Sequence, residues 1–315
     1  MPLKIIFMGT PAMAAHILER LIAASGTQFR VVAIVTRPDE PRGRGLSRQP
    51  SEVAAVGERF SLPVLKPAKV RTAEFLAELA SFAPDLLVVA AYGRLLPKAV
   101  LDVARIMPIN VHASLLPRHR GAAPVEGAIL AGDPETGVSI MRMTERMDAG
   151  AILLQRAIPI APDETQGTLK DKLAELGAAA LLDALELIAS GRAVETPQDD
   201  SRATYTSPVK KEDAIIDWSA DAARIERMTR AFDPWPVVRT TLDGTPLMVW
   251  RAAVVGDETA AAPPGTIVTL KPNPVVQCGR GRLELIEVQA AGRKRMSGAD
   301  FARGRRLAAG QRLGA

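Results

Sequence analysis

Asn110 and His112 lie two residues apart in the run Ile109-Asn110-Val111-His112-Ala113-Ser114-Leu115-Leu116-Pro117. On a strand that spacing puts both side chains on one face. The run ends in a loop, and in an open α/β sheet ligands bind at the carboxyl ends of the strands. One face would then offer an amide donor beside a ring that titrates near neutral pH. Such a pair can hold an oxyanion and pass a proton. It can also simply end a strand, and spacing alone leaves both readings open.

Two other segments point to the same edge. Thr144-Glu145-Arg146-Met147-Asp148-Ala149-Gly150 follows the strand pattern Val138 to Met143. A carboxylate at the end of a parallel strand could reach across, fix the His112 imidazole and favour its charged form. Asp before Ala-Gly is equally a turn residue. Arg37 to Arg48 follows the strand pattern Val31 to Val35 and carries Arg37, Arg42, Arg44 and Arg48 among prolines and glycines. It reads as an irregular loop with phosphate-seeking arginines, or as a solvated loop with no ligand.

The elements that must position these residues alternate along the first 190 positions. Strand patterns at Lys4 to Met8, Val31 to Val35, Asp85 to Ala91, Ile109 to His112, Val138 to Met143 and Ile152 to Leu154 are nearly continuous apolar runs. Helix patterns lie between them, one opening at Gly9-Thr10-Pro11 with Thr10 as its expected N-cap, another spanning Thr168 to Ser190. This alternation predicts an α/β fold, a mostly parallel sheet covered by helices. Beyond a segment rich in Gly, Pro, Asp and Ser come a helix pattern (Ala220 to Phe232) and five short strand patterns between Val237 and Gln289. Short strands punctuated by Asp243-Gly244 and Pro263-Pro264-Gly265 predict a small antiparallel barrel. The expected domains are 1–190, a linker over 191–208, and 209–315.

Composition narrows the functions. Hydrophobic residues make up 47% of the 315 and charged residues 24%, ordinary for a globular chain of two domains. No run approaches membrane-spanning length, and Met1-Pro2-Leu3-Lys4-Ile5 enters a strand directly, so neither a membrane anchor nor a signal peptide is expected. The lone Cys278 excludes an internal disulfide and reads as a small buried residue. The three histidines and one cysteine fall in no metal-ligand spacing, so no metal is expected. Gly9-Thr10-Pro11-Ala12-Met13-Ala14 lacks the second glycine of a dinucleotide fingerprint, which disfavours a nicotinamide enzyme. The net charge is +5; from Tyr205 onward there are 17 Lys and Arg against 12 Asp and Glu, while the preceding 204 residues balance. A basic module beside a neutral one fits a polyanionic partner, and fits a merely basic surface.

Taken together the segments resemble the methionyl-tRNA formyltransferase family. The matching pieces are Gly9-Thr10-Pro11, Arg37 to Gly45, Ala91-Tyr92-Gly93 with Leu95-Leu96-Pro97, Asn110 to Arg118, Arg120-Gly121-Ala122-Ala123-Pro124, Glu135-Thr136-Gly137-Val138 and Met147-Asp148-Ala149-Gly150. The second module matches at Ile216-Asp217-Trp218, Arg230 to Pro236 and Pro264 to Ile267. His119 stands where the family commonly carries a large aromatic, and Arg94 where a neutral side chain is commoner.

The resemblance implies a Rossmann-like formyltransferase domain followed by an OB-like barrel. It places Asn110, His112 and Asp148 in the catalytic triad. It places Ser114, Leu115, Leu116 and Pro117, with Tyr92 and Gly93, at the folate. It places Arg42 and Arg44 in the loop that enters the tRNA acceptor stem, and the basic carboxyl-terminal module with Lys210 and Lys211 would hold the tRNA phosphates. The implied reaction takes formyl from 10-formyltetrahydrofolate, a cosubstrate and not a resident cofactor, to the amino group of methionyl-initiator tRNA. The proton would leave through His112 or an ordered water. A cytoplasmic monomer is the expected form. Rival readings are a formyltransferase acting on a small amine, such as an amino sugar nucleotide, and a non-enzymatic RNA-binding protein.

Overall fold

Seven strands of the N-terminal part join in one sheet: β1 (Leu3–Gly9), β2 (Phe29–Val35), β3 (Val64–Leu65), β4 (Leu86–Ala90), β5 (Met107–His112), β6 (Glu135–Arg142) and β7 (Ile152–Pro159). The computed structural model describes residues 1–42, 47–256 and 262–314, without the side chains of Arg42 and Ser47. The strand order is β7-β6-β5-β4-β1-β2-β3. The five strands from β3 to β5 pair in parallel. The order reverses beside β1, which opens a crevice at the carboxyl ends of β1 and β4.

β1 and β4 are covered on both faces, which is why they read as unbroken apolar runs. Ile5, Ile6, Phe7 and Met8 are fully buried, as are Leu86, Leu87 and Val88. Each such side chain contributes roughly 1.5–3 kcal/mol on burial, an upper figure because the unfolded chain already hides some apolar surface. Ile6, Met8, Val35 and Val89 share one cluster with Phe75 and Leu79 of the helix Ala73–Ser81. In the helix Gln166–Ala189 a methyl at Gly177 would sit 3.1 Å from Val111 and 3.4 Å from Ile17. The missing Cβ lets that helix lie close against the sheet.

Three local expectations change. β6 runs antiparallel to β5, and β7 antiparallel to β6, so the sheet is mixed at this edge. Thr10 does not cap the first helix, Ala12–Ala23; Pro11 holds the N-cap position, and the Thr10 hydroxyl donates to the Tyr92 carbonyl instead at 3.2 Å. The arginine-bearing segment is less irregular than its prolines imply, since Glu40–Arg42 pairs antiparallel with Ser47–Gln49.

By contacts the chain divides into two units. The first holds residues 1–124, 135–159 and 170–207. The second holds 208–315 with the segments 125–134 and 160–169. Its sheet comprises β8 (Val238–Leu242), β9 (Thr245–Val254), β10 (Ile267–Thr269), β11 (Val275–Gln277) and β12 (Arg282–Ala290), ordered β8-β9-β12-β11-β10 with antiparallel neighbours, and a sixth strand, Met296–Ser297, pairs antiparallel with β12. The carboxyl-terminal segment joins the two edges. Leu313 donates its amide to Gly265 and Gly314 donates to Thr241, both within 2.9 Å, while Ile267 donates to Gln311 at 2.8 Å. The sheet thereby closes into an OB-like barrel. Gly265, at φ +87, is required where the ends meet: a methyl would lie 2.6 Å from the Leu313 carbonyl.

Candidate active site

Asn110 and His112 end β5, both buried, on the face that strand alternation predicts. The His112 ring is held from two sides. Its Nε2 lies 3.0 Å from the backbone carbonyl of His119. A carbonyl only accepts, so Nε2 carries the hydrogen. Nδ1 faces Asp148 Oδ2 at 3.7 Å, an ion-pair distance too long for a hydrogen bond. The same Asp148 oxygen accepts the Gly121 amide at 2.8 Å.

Asp148 does not arrive from the end of a parallel strand. β6 leaves the sheet beside the start of β5, where Ile109 pairs with Arg142. The loop between β6 and β7 must therefore double back to bring its carboxylate to His112. Asp148 sits there at φ +49, in the left-handed region that non-glycine residues seldom adopt.

The segment His119 to Gly121 thus touches both members of the pair through backbone atoms. It is stitched to residues 204–206. The His119 amide donates to Thr204 Oγ1 at 2.8 Å, the Arg120 amide to the Thr204 carbonyl at 2.8 Å, and Thr206 Oγ1 to the Arg120 carbonyl at 3.1 Å. Sequence reading singled out neither 119–121 nor 204–206 as parts of the site. Backbone donors and acceptors leave no residue-type signature. The cues in the sequence are Arg120-Gly121 within a family-like motif and His119 as a departure from that motif.

The Ser114 to Pro117 loop follows β5 directly. Ser114 Oγ donates to the Arg118 carbonyl at 2.7 Å, and the Leu116 amide donates to Ser139 Oγ at 3.0 Å. Gln155 Nε2 donates to the Leu116 carbonyl at 3.0 Å. β6 and β7 therefore set the loop's shape. Gly137 of β6 leaves room for Leu115, whose Cδ2 would lie 2.7 Å from an added methyl.

Tyr92 and Gly93 follow β4, at the neighbouring strand end. Tyr92 is buried; burial pushes its hydroxyl up in pKa, against the opposing pull of Arg94 and Arg37. Arg94 Nη1 donates to the carbonyls of Pro67 and Ala68 at 3.1 and 2.8 Å, so it anchors a neighbouring loop. Lys210 and Lys211 are exposed and belong to the second unit. Arg42 ends its short strand with no described side chain, and Arg44 lies outside the described residues. Among the described residues no group of three or more His, Cys, Asp and Glu could hold a metal ion, and no helix is long and apolar enough to cross a membrane.

Two family models and full-length relatives assign the chain to the formyl transferase class. Residues 3–185 match the family Formyl transferase, and residues 208–306 match Formyl transferase, C-terminal domain. The methionyl-tRNA formyltransferase of Roseiflexus sp. (strain RS-1) is 46% identical over 314 residues, spanning 100% of this chain and 96% of its own. That of Roseiflexus castenholzii is 47% identical over 314 residues, spanning all of both. A solved N-formyltransferase from Helicobacter canadensis, in complex with folinic acid and dTDP-3-aminofucose, shares the fold. Its TM-score is 0.66 at 16% identity, over 90% of this chain and 99% of its own. The chain belongs to the methionyl-tRNA formyltransferase family.

Proposed function

We propose that this protein transfers the formyl group of 10-formyltetrahydrofolate to the α-amino group of methionyl-initiator tRNA. The observation that carries the mechanism is the His112 ring, with Nε2 tied to a carbonyl and Nδ1 turned to Asp148 beside Asn110. If Nδ1 bore no proton, its lone pair would face a carboxylate. A proton there leaves an N–H available to the reacting oxygen.

The amine attacks the formyl carbon, and a C–N bond forms as the carbonyl becomes an oxyanion. The Asn110 amide and His112 Nδ1–H donate to that oxygen. The Asp148 carboxylate orients the ring, and the proton that the amine sheds passes through His112 or an ordered water. Collapse breaks the bond to the folate nitrogen, which takes up the proton that the amine has shed. Ser114, Leu115, Leu116 and Pro117, with Tyr92 and Gly93, would seat the folate at the adjoining strand ends.

The basic carboxyl-terminal stretch from Tyr205 onward, with Lys210 and Lys211, would hold tRNA phosphates, and Arg42 and Arg44 would read the acceptor stem. Binding should then weaken steeply with salt. The full-length relatives support tRNA over a small-amine acceptor. The protein would act as a monomer in the cytoplasm.

The test is transfer of labelled formyl to methionyl-initiator and methionyl-elongator tRNA side by side. Preference for the initiator is expected, with a loss of about 10²-fold or more in Asn110→Ala and in His112→Ala. Transfer to an amino sugar nucleotide but to neither tRNA would overturn the reading.

A further inference from the structure

Arg120 is fully buried, and a buried guanidinium needs acceptors for its donors. Its Nε and Nη2 donate to Gln198 Oε1 at 3.1 and 2.7 Å. Nη2 also donates to Asp200 Oδ1 at 2.8 Å, and Nη1 to the Tyr205 hydroxyl at 3.2 Å. On its other side, Gln198 Nε2 donates to the carbonyls of Asp148 and Gly150 at 2.9 and 2.7 Å. The guanidinium only donates and the two carbonyls only accept, so the amide has one orientation that satisfies all four bonds.

Gln198 therefore joins two halves of the site. Arg120 lies between His119, whose carbonyl holds His112, and Gly121, whose amide holds Asp148. The two carbonyls belong to the loop that doubles back over β5. That loop has reason to need a clamp, since Asp148 holds a left-handed backbone conformation there. Its carboxylate is fixed by Gly121 and its carbonyl by Gln198. Asp200 adds a second tie to the same loop, accepting Arg146 Nη2 on Oδ2 at 2.7 Å.

We propose that Gln198, backed by Arg120, is a positioning residue for the transfer reaction: it grips the Asp148 loop by its carbonyls and keeps the carboxylate against His112. The proposal rests on the reading of Asp148 as part of the catalytic set. Gln198 acts through Asp148 and not on substrate.

Gln198→Glu keeps the side chain's size and its bond to Arg120. It replaces the donor nitrogen with an oxygen facing two carbonyls. The variant should lose about tenfold to a hundredfold in kcat, the scale of an ångström-level misplacement. KM for folate and for tRNA should stay near wild type. The deciding measurement is a cycle with Asp148→Asn. In that background Gln198→Glu should cost little further, because the residue it positions is already gone. Should Gln198→Glu fail to fold, Gln198→Ala goes through the same cycle.

Wild-type kcat in the folded Gln198 variant, beside an impaired Asp148→Asn, overturns the positioning role alone. So does a raised KM with unchanged kcat, or full additivity of the two losses. Wild-type kcat in Asp148→Asn removes the catalytic reading of Asp148, and the proposal falls with it.

Discussion

The imidazole of His112 gives its Nε2 hydrogen to the backbone carbonyl of His119, 3.0 Å away. The bond uses no atom of the His119 side chain. It does need the His119 backbone, which sits at φ +56. Asn tolerates that left-handed conformation and a β-branched residue resists it. His119→Asn should keep most of the wild-type kcat. His119→Val should lose activity together with about 1–2 kcal/mol of stability. Thermal unfolding and steady-state transfer assays on the two variants decide this. Equal losses in both would assign the work to the imidazole of His119 itself.

Gly121 carries a stricter requirement. Its φ is +110, and a methyl there would lie 2.2 Å from the Thr206 carbonyl. Gly121→Ala should push the segment 119–121 away from 204–206 and move the amide that holds Asp148. A strained backbone of this kind costs on the order of 1–3 kcal/mol. We expect a lower unfolding temperature and a kcat loss larger than any change in KM. A fall in stability with kcat intact would mean that the Gly121 amide does not set the reactive geometry.

Asp85, just ahead of β4, should contribute to stability in acid. Burial alone would raise its pKa, but the Lys4 amide at 2.8 Å and the Arg105 guanidinium overcome that and hold it below the usual 3.8. A depressed folded value means that the carboxylate's stabilisation is complete above the unfolded value. It is lost as pH falls through the folded one. Urea midpoints should therefore drop from pH 6 toward pH 3 more steeply in the wild type than in Asp85→Asn. Parallel pH profiles would show that Asp85 is not a source of the acid sensitivity.

How much of this was legible in the sequence depended on whether the cause was local. Ile5 to Met8 and Leu86 to Val89 read as parallel strands because burial on both faces removes polar residues from them. Asn110 and His112 could be placed on one face because strand alternation is a property of two neighbouring residues. The direction of β6 could not, since its apolar run pairs with β5 either way. With the direction hidden, the path of Asp148 to His112 was hidden too. Thr10 looked like a cap because capping is the commonest use of a threonine before a helix; a partner 82 positions away, the Tyr92 carbonyl, took its hydroxyl. Gln198 stood out least. It sits among Pro197, Asp199 and Asp200 in a stretch whose composition reads as a connector, and its side-chain bonds all go to residues distant in sequence.

Cys278 gives a last test, at alkaline pH. The thiol is fully buried beside the end of β11, and burial, with a smaller push from Asp221, raises its pKa from 9.0 to about 12. At pH 8 it should resist a disulfide reagent such as DTNB in the native protein and react once the chain is unfolded, because only the thiolate attacks. The same shift sets a direction for stability. Between the unfolded value of 9.0 and the folded value of about 12, the unfolded chain binds fewer protons than the native one. Stability must then fall with rising pH across that window, by at most about 1.4 kcal/mol per pH unit from this group. Urea unfolding at pH 8, 9.5 and 10.5 should show the decline in the wild type and a shallower one in Cys278→Ala. A native thiol that reacts as fast as a free one would show that the barrel opens at Cys278 on the timescale of the assay.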